Sequence, residues 1–324
     1  MPRVSVIVPA HEAARHLREA IESVRRQTFR DWELIVVDDG SRDGTWELLQ
    51  EAGADVRALR REDAGGPAVA RNLALAHAEG EFVAFLDADD LLLPRYLESQ
   101  LECYEMASRV RRADGQVGLV TCDARILIHG EYAPYTHLQL IEDRHAPITL
   151  ERVLRRNPVY GACLVPFAVG EAVGWFDPEL FGTEDFGLWL KILEAGYRAV
   201  LNEEVLAVYR RTPGTVSSNL ASQGLNNRRA YELALARGRL TARQQRIARR
   251  AIRYNRAMEE IARLRFSGAV QGRSRLSCRR YLPSLRSIPL LARVALSSPR
   301  RWSEWLALLR SGQAKDAAKL DAGR

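Results

Sequence analysis

The sequence predicts an α/β fold: a doubly wound, mostly parallel sheet with helices on both faces, followed by a helical, basic C-terminal region. Three observations predict it. The first ninety residues alternate apolar, strand-like runs with amphipathic stretches in a β-α-β-α-β-α-β order, which short right-handed connections turn into a parallel sheet. Those runs end in proline, glycine or carboxylates, the residues that terminate strands and make turns. Residues 226–266 carry arginine on nearly every helical turn.

The elements follow in order. Arg3–Pro9 reads as a buried strand, and Ala13–Gln27 as a helix with Leu17, Ala20, Ile21 and Val24 on one face. Glu33–Asp38 is the second strand; Asp43 or Thr45 begins a helix through Gln50 that Gly53 ends. A strand over Val56–Arg60 leads to Gly65-Gly66-Pro67 and a helix to about Ala78, which Gly80 breaks. The run Glu81-Phe82-Val83-Ala84-Phe85-Leu86 is then a buried strand ending at Asp87. Pro94–Met106 is a helix and Val117–Ile128 a strand. Gly130–Pro147 shows little periodicity and reads as a long loop, the kind that serves as a lid or acceptor-binding segment. Ile148–Arg156 and Phe186–Ala195 are helices, the second stopped by Gly196; Ala199–Tyr209 is a strand. Asn226–Phe266 is helical and arginine-rich.

Composition sets bounds on function. The chain has 324 residues with 47% hydrophobic and 27% charged content, enough to bury a sizeable core. Its net charge of +7 hides an asymmetry: residues 225–324 hold 24 Lys+Arg against 6 Asp+Glu, and residues 1–224 hold 24 against 35. An acidic body is joined to a basic tail. Cys103, Cys122, Cys163 and Cys278 form no Cys-x-x-Cys pair, which points to free thiols in a reducing compartment rather than a disulfide framework. The six histidines are scattered, so none is assigned to zinc. The Val4–Ala10 run is too short for a signal-peptide core, and no stretch reaches the length of a membrane span. These features predict a cytoplasmic protein, peripheral at most on the inner face of a membrane.

Chemistry concentrates where strands end. Asp87-Ala88-Asp89-Asp90 places three carboxylates at the carboxyl edge of a strand, the edge where open α/β sheets bind ligands. Like charges so close repel unless a cation sits among them, and hard divalent cations take oxygen ligands. The competing reading is that Asp89 or Asp90 starts the helix at Pro94. Three further segments share that edge: Val4–Ala10 ends in a proline turn, Val36-Val37-Asp38-Asp39-Gly40-Ser41 ends in two carboxylates, and Gly65–Asn72 opens a helix with a flexible loop. Asp38 also has a purely local reading as a turn residue, and Arg71 as a surface ion-pair partner.

Taken together and in this order, the four segments resemble a family 2 glycosyltransferase with the GT-A nucleotide-sugar-binding fold, over about residues 3–215. The resemblance implies the following roles. Residues 1–110 would be the nucleotide-sugar-binding half, 111–219 the acceptor-binding half of the same domain, and 220–324 the basic helical region. Pro9, Ala10, Glu12, Asp39, Arg71, Asp87 and Ala88 would bind the nucleoside-diphosphate sugar, with Pro9 and Ala10 as a wall. Asp39 would accept from the base, and Arg71 would approach the base or diphosphate. Asp89, with Asp87, would hold Mn²⁺ or Mg²⁺ against the departing diphosphate. Asp90 would support that ligand or cap a helix.

Gly174-Trp175-Phe176-Asp177 and Phe181-Gly182-Thr183-Glu184-Asp185-Phe186-Gly187-Leu188-Trp189 resemble the family's Glu-Asp motif. By that resemblance Asp185 would take the proton of the acceptor hydroxyl, with Glu184 as the alternative base or a sugar-orienting group. The local reading is that the pair merely starts a helix. Trp189 packs under a sugar ring or lies in the core. Four departures stand out. His11-Glu12 replaces the usual aromatic-Asn, Gly187 stands where a second aspartate often follows, and Thr212 stands where histidine is common in Tyr209–Ser217. No Gln-x-x-Arg-Trp sequence appears, which points away from a processive synthase. Arg210 or Arg211 would meet the diphosphate as that loop closes.

The expected activity is metal-dependent transfer of a sugar from a nucleoside-diphosphate sugar to a hydroxyl of a glycan or lipid-linked glycan, inverting and non-processive. Two rivals differ in class. A sugar nucleotidyltransferase would carry a Gly-rich, Arg/Lys-containing loop where Pro9-Ala10-His11-Glu12 stands; a non-catalytic nucleotide-binding scaffold would act through its basic tail. In that tail, residues 298–310 put Trp302, Trp305, Leu306 and Leu309 on one helical face beside Arg300, Arg301 and Arg310. That pattern suits an anionic membrane interface or a docking face on protein. No nucleic-acid module accompanies the charge, so no nucleic-acid partner is expected.

Overall fold

Successive residues of the first strands point alternately into two separate cores, which is what a sheet covered on both faces requires. Ile7, Ile35, Val37, Val83 and Phe85 enter one core; Val6, Val8, Leu34, Val36, Phe82 and Ala84 enter the other. The structure, a computed structural model, describes residues 1–110, 115–141, 143–211 and 220–266.

Within them β1 (Val4–Ala10), β2 (Trp32–Asp39), β3 (Val56–Arg61) and β4 (Phe82–Phe85) form a parallel unit in the order β3-β2-β1-β4. The register runs from Val4 opposite Trp32 to Ala10 opposite Asp38, so the first two strands end level with each other. α1 (Leu17–Arg25), α2 (Thr45–Gln50) and α4 (Tyr96–Arg109) cover one face, burying Leu17, Ala20, Ile21, Val24, Leu49, Tyr96 and Leu97. α3 (Pro67–Leu75) covers the other with Ala70, Ala74 and Leu75. This half matches the predicted alternation.

The second half adds strands of both senses. β8 (Cys163–Pro166) lies in mid-sheet, antiparallel to both β4 and β6 (Val117–Ile128), and β6 runs parallel to β9 (Arg198–Arg211). β5 is only Leu91–Leu92, paired antiparallel to Val208 and Ala207 of β9. The parallel pairing predicted for the sheet therefore holds in its first half, and the strands beyond β4 mix both directions. The four residues of β8, which run directly into helix α6 (Phe167–Val173), are too few to show a period, so the strand leaves no sequence signal.

Gly130–Pro147, expected as a loop, begins with β7 (Glu131–Thr136), a hairpin partner of β6. The Asp123 carboxylate fixes the return: its Oδ1 accepts from the Ala124 N–H at 2.8 Å and the Leu138 N–H at 2.7 Å, just where a 3₁₀ turn over Leu138–Leu140 starts.

The arginine-rich helical stretch is two helices, α8 (Leu220–Ala236) and α9 (Ala242–Phe266), broken at Gly238, whose φ of +70° suits glycine. They share the core of α5 (Leu150–Arg155) and α7 (Glu184–Glu194): Ala230, Tyr231, Ala234, Ala248 and Ile252 are buried there. The Tyr231 hydroxyl donates to the Leu154 carbonyl at 3.0 Å. Cys103, Cys122 and Cys163 are free thiols, and no described helix is long and apolar enough to cross a membrane. The segment Thr212–Ser217, Cys278 and the amphipathic 298–310 stretch lie outside the described residues.

Candidate active site

The carboxyl ends of β1, β2 and β4 and the amino ends of α3 and α7 converge, and each brings a polar group. At the end of β1, Pro9 is half-buried and Ala10 buried. His11 Nδ1 lies 2.8 Å from the Asp39 carbonyl. Glu12, at φ +50°, donates its N–H to Ser41 Oγ at 2.9 Å and accepts from the Arg42 N–H at 2.8 Å. The His-Glu pair thus fastens the first strand's turn to the second's.

Asp39 is buried and nearly saturated. Its Oδ1 accepts from Arg61 Nε at 2.8 Å and the Gly65 N–H at 3.0 Å, and its Oδ2 from the Gly66 N–H at 2.7 Å. A carboxylate has about four acceptor sites, so a donor from a nucleotide base must share or exchange with these. Gly66 is required where it sits: φ is +87°, and a Cβ there would lie 2.7 Å from the Phe181 ring.

Arg71 is the hub. It is 5% exposed, and its Nη1 donates to Glu184 Oε1 and its Nη2 to Asp87 Oδ1, both at 2.5 Å. Its guanidinium lies 5.3 Å from the Phe176 ring centroid. Burial works against its charge, but Asp87 and Glu184 more than offset that, and its pKa is raised. The expectation for Arg71 was a fork turned to the base or diphosphate; in the structure that fork joins the Asp-x-Asp edge to the start of α7. Glu184, expected as an alternative base, is buried and held by Arg71.

Asp87 is exposed, Ala88 buried and Asp89 half-buried. Burial first, and the Asp87 charge second, push Asp89 up to about 6. Asp90 does not cap α4, which starts at Tyr96 after Arg95. It accepts from the Tyr160 hydroxyl and the Arg210 N–H, each at 2.7 Å, and its pKa is raised well above the carboxylate range by burial and by the charges of Asp89 and Asp87. Among the described residues no three His, Cys, Asp or Glu side chains form a cation cluster. Asp87 and Asp89 nevertheless fit a hard divalent ion: both offer carboxylate oxygens, and the Asp87 charge, after burial, lifts the proton affinity of Asp89, a repulsion that a bound cation would relieve.

Asp185 begins α7. Its carboxyl is pushed up to about 7, first by burial and then by the Glu184 charge, against the Phe186 N–H and Arg71, which favour ionisation. Its Oδ2 faces Gly161, where an added Cβ would stand 3.9 Å away. That poise suits a base operating near neutrality. Trp189 lies in the core, fully buried and 6.4 Å from the Phe85 ring.

Gly187 has a packing reason. A Cβ there would sit 2.3 Å from Cδ1 of Leu180, which is 2% exposed. Gly187→Ala should therefore destabilise the protein by about 1–3 kcal/mol, although alanine is the better helix former. Chemical denaturation checks this, and a stabilised variant would show that Leu180 yields.

Arg210, expected to meet the diphosphate, bonds His16 Nδ1 at 2.7 Å and Glu19 at 2.8 Å, while Arg211 lies 5.9 Å from the Tyr209 ring centroid. Burial and the Arg210 charge lower the His16 pKa, so the ring accepts as a neutral imidazole. Tyr160 was missed; the only sequence hint is an aromatic residue beside Gly161 in a short Asn-Pro loop. It belongs to a ring cluster with His137 and Tyr209 at centroid distances of 5.4 and 5.7 Å.

Comparison with known proteins bears on this arrangement. The model of the family "Glycosyl transferase family 2" matches residues 5–108. A protein of Bacillus subtilis (strain 168) named "Putative teichuronic acid biosynthesis glycosyltransferase TuaG" is 34% identical over 222 residues, 67% of this chain and 82% of TuaG. WfgD of Escherichia coli, a "UDP-Glc:alpha-D-GlcNAc-diphosphoundecaprenol beta-1,3-glucosyltransferase" by name, is 30% identical over 220 residues, 67% of this chain and 80% of WfgD. The mannosyltransferase PcManGT of Pyrobaculum calidifontis, solved with GDP-Man and Mn²⁺, superposes with a TM-score of 0.60 at 24% identity, over 100% of this chain and 88% of its own. TarS 1–349 of S. aureus, solved with UDP-GlcNAc, gives 0.60 at 20% identity, over 97% and 88%. The last two likenesses establish the fold.

Proposed function

This chain belongs to glycosyl transferase family 2, with the GT-A fold, and from that premise we propose that it moves a sugar from a nucleoside-diphosphate sugar to a hydroxyl of a glycan or lipid-linked glycan, with inversion and without processivity. The observation that carries the reading is Asp185, a carboxyl poised near 7 and tied through Glu184 and Arg71 to the Asp-x-Asp edge. Residues 1–110 hold the donor and 111–219 the acceptor.

Pro9, Ala10 and Glu12 border the nucleotide, and Asp39 holds the Gly65-Gly66 loop against it. Asp89, with Asp87, would hold Mn²⁺ or Mg²⁺, which when bound neutralises charge on the departing diphosphate. Asp185 accepts the acceptor's hydroxyl proton, and the oxygen attacks the anomeric carbon opposite the diphosphate. Arg71 keeps Asp87 and Glu184 in place and, by its charge, keeps Asp185 from rising further. The name of WfgD supports a UDP-sugar donor and a lipid-diphosphate acceptor. A lipid-linked acceptor implies a cytoplasmic enzyme working at the inner face of the membrane.

The test is a calorimetric titration of UDP-, GDP-, CDP- and dTDP-sugars with and without Mn²⁺, with nucleoside-diphosphate release followed in parallel. One nucleotide class should bind in a metal-dependent way and release its diphosphate slowly. Asp89→Ala should lose the metal-dependent part of binding, about 10-fold or more, as expected when a charged ligand is removed. Binding of that variant equal to wild type, with and without Mn²⁺, would remove Asp89 from the metal site.

A further inference from the structure

The outward face of α9 is cationic and largely without counter-charge. Between Ala242 and Arg256 the helix carries six arginines, Arg243, Arg246, Arg249, Arg250, Arg253 and Arg256, and no Asp or Glu. All six are exposed, whereas Ala248, Ile252 and Asn255 on the opposite side are buried. Helical geometry at 3.6 residues per turn puts Arg246, Arg250 and Arg253 along the middle of the outer face, with the others on its flanks. The flanks are partnered: Arg243 with Glu151 at 3.2 Å, Arg256 with Glu232 at 3.4 Å, Arg249 with the Gln245 side chain at 3.2 Å. The central three have no ion-pair partner among the described residues. An ordinary solvated helix face interleaves the two charge signs; this one does not.

We propose that the Arg246–Arg250–Arg253 face of α9 is a docking surface for an anionic phospholipid bilayer, which brings the acceptor side of the enzyme to a lipid-linked substrate. The inference rests on the lipid-linked acceptor reading above. Two observations favour a bilayer over nucleic acid. The face presents guanidinium groups with no exposed aromatic ring for base stacking, since Tyr254 is half-buried. The sequence beyond α9 continues the same bias, with 12 Lys+Arg against 3 Asp+Glu in residues 267–324, and includes Trp302, Trp305, Leu306 and Leu309 at interfacial spacing. The surface is also coupled to the site: α9 pairs with α8, whose Tyr231 ring packs 5.2 Å from Phe186, the residue after Asp185.

The experiment is co-sedimentation of the full chain with vesicles of equimolar phosphatidylglycerol and phosphatidylcholine, and with pure phosphatidylcholine, at low and high salt. Wild type should pellet with the anionic vesicles only and be released by salt. The triple variant Arg246→Glu, Arg250→Glu, Arg253→Glu should bind at least about tenfold more weakly, since each basic residue near an anionic surface strengthens attraction several-fold. Its donor turnover with a soluble acceptor should be unchanged. The matching Arg→Gln triple, which introduces no repulsion, should show a smaller loss in the same direction and serves if the glutamates disturb the helix. The proposal fails if both triples pellet like wild type, if wild type prefers duplex DNA to the vesicles, or if Trp302→Ala with Trp305→Ala abolishes binding that the triples leave intact. Donor turnover without vesicle binding would overturn this surface and leave the transferase standing; vesicle binding without turnover of any donor would do the reverse.

Discussion

Asp185→Asn is expected to lower kcat about 10²–10⁴-fold, the range contributed by a positioned general base, while donor affinity stays at its wild-type value. The isosteric amide keeps the shape of the α7 start but has no lone pair basic enough to take a hydroxyl proton. In the wild type, kcat/KM should climb with pH and level off above about 7, because the carboxyl must be ionised and burial beside Glu184 has pushed it there. The same shift makes a stability prediction of definite sign. A carboxyl whose folded pKa is raised binds its proton more tightly in the native state, so stability is full below the unfolded value and falls as pH rises toward about 7. Asp185→Asn removes that penalty. Its Tm should exceed wild type's at pH about 8, by about 2–4 °C for each kcal/mol relieved, and the two should converge near pH about 4. Retained turnover in the variant would place the base elsewhere, and a flat Tm difference across pH would show that Asp185 is not the group that titrates.

The sequence made the donor half legible because its physics is local. A buried parallel strand needs a continuous apolar run, and the residue that ends the run stands at the ligand-binding edge, so Asp39 and the Asp87–Asp90 cluster could be placed from order alone. The second half hides its structure in pairings. β8 is four residues long and is held by strands on both sides, and β5 is a two-residue pairing to β9 directly after Asp90. That pairing is why Asp90 meets the Arg210 N–H, 120 residues away, rather than capping a helix. Arg71 shows the same limit at the site itself. Its type and place on α3 suggested anion binding, but its partner Glu184 lies 113 residues on, and no spacing rule joins the two. The departure at Gly187 was visible as a missing carboxylate; its cause, the close approach of Leu180, was not.

Arg71→Met should be the most destabilising single substitution in the site, by about 3–5 kcal/mol, because it leaves a buried carboxylate without its counter-charge. The side chain of Glu184 is 7% exposed, so water replaces little of what Arg71 supplies, whereas Asp87 at 49% is partly rescued by solvent. Arg71→Lys should fall between the two: one ammonium keeps the charge but does not reach both carboxylates with the planar fork that two 2.5 Å hydrogen bonds require. Pairing Arg71→Met with Glu184→Leu should recover much of the lost stability, since the cost lies in the orphaned charge rather than in the bridge as such. Activity should not return with it. Arg71→Met also removes a charge that favours ionisation of Asp185, so in that single variant the ascending limb of the pH–rate profile must move to higher pH, whereas Arg71→Lys keeps the charge and the double variant loses the opposing Glu184 charge as well. Urea unfolding of the four proteins measures the first effect and the pH profile the second. A double variant no more stable than Arg71→Met would mean that Arg71 acts through packing on Phe176 instead of through Glu184, and an unmoved limb would detach it from the base.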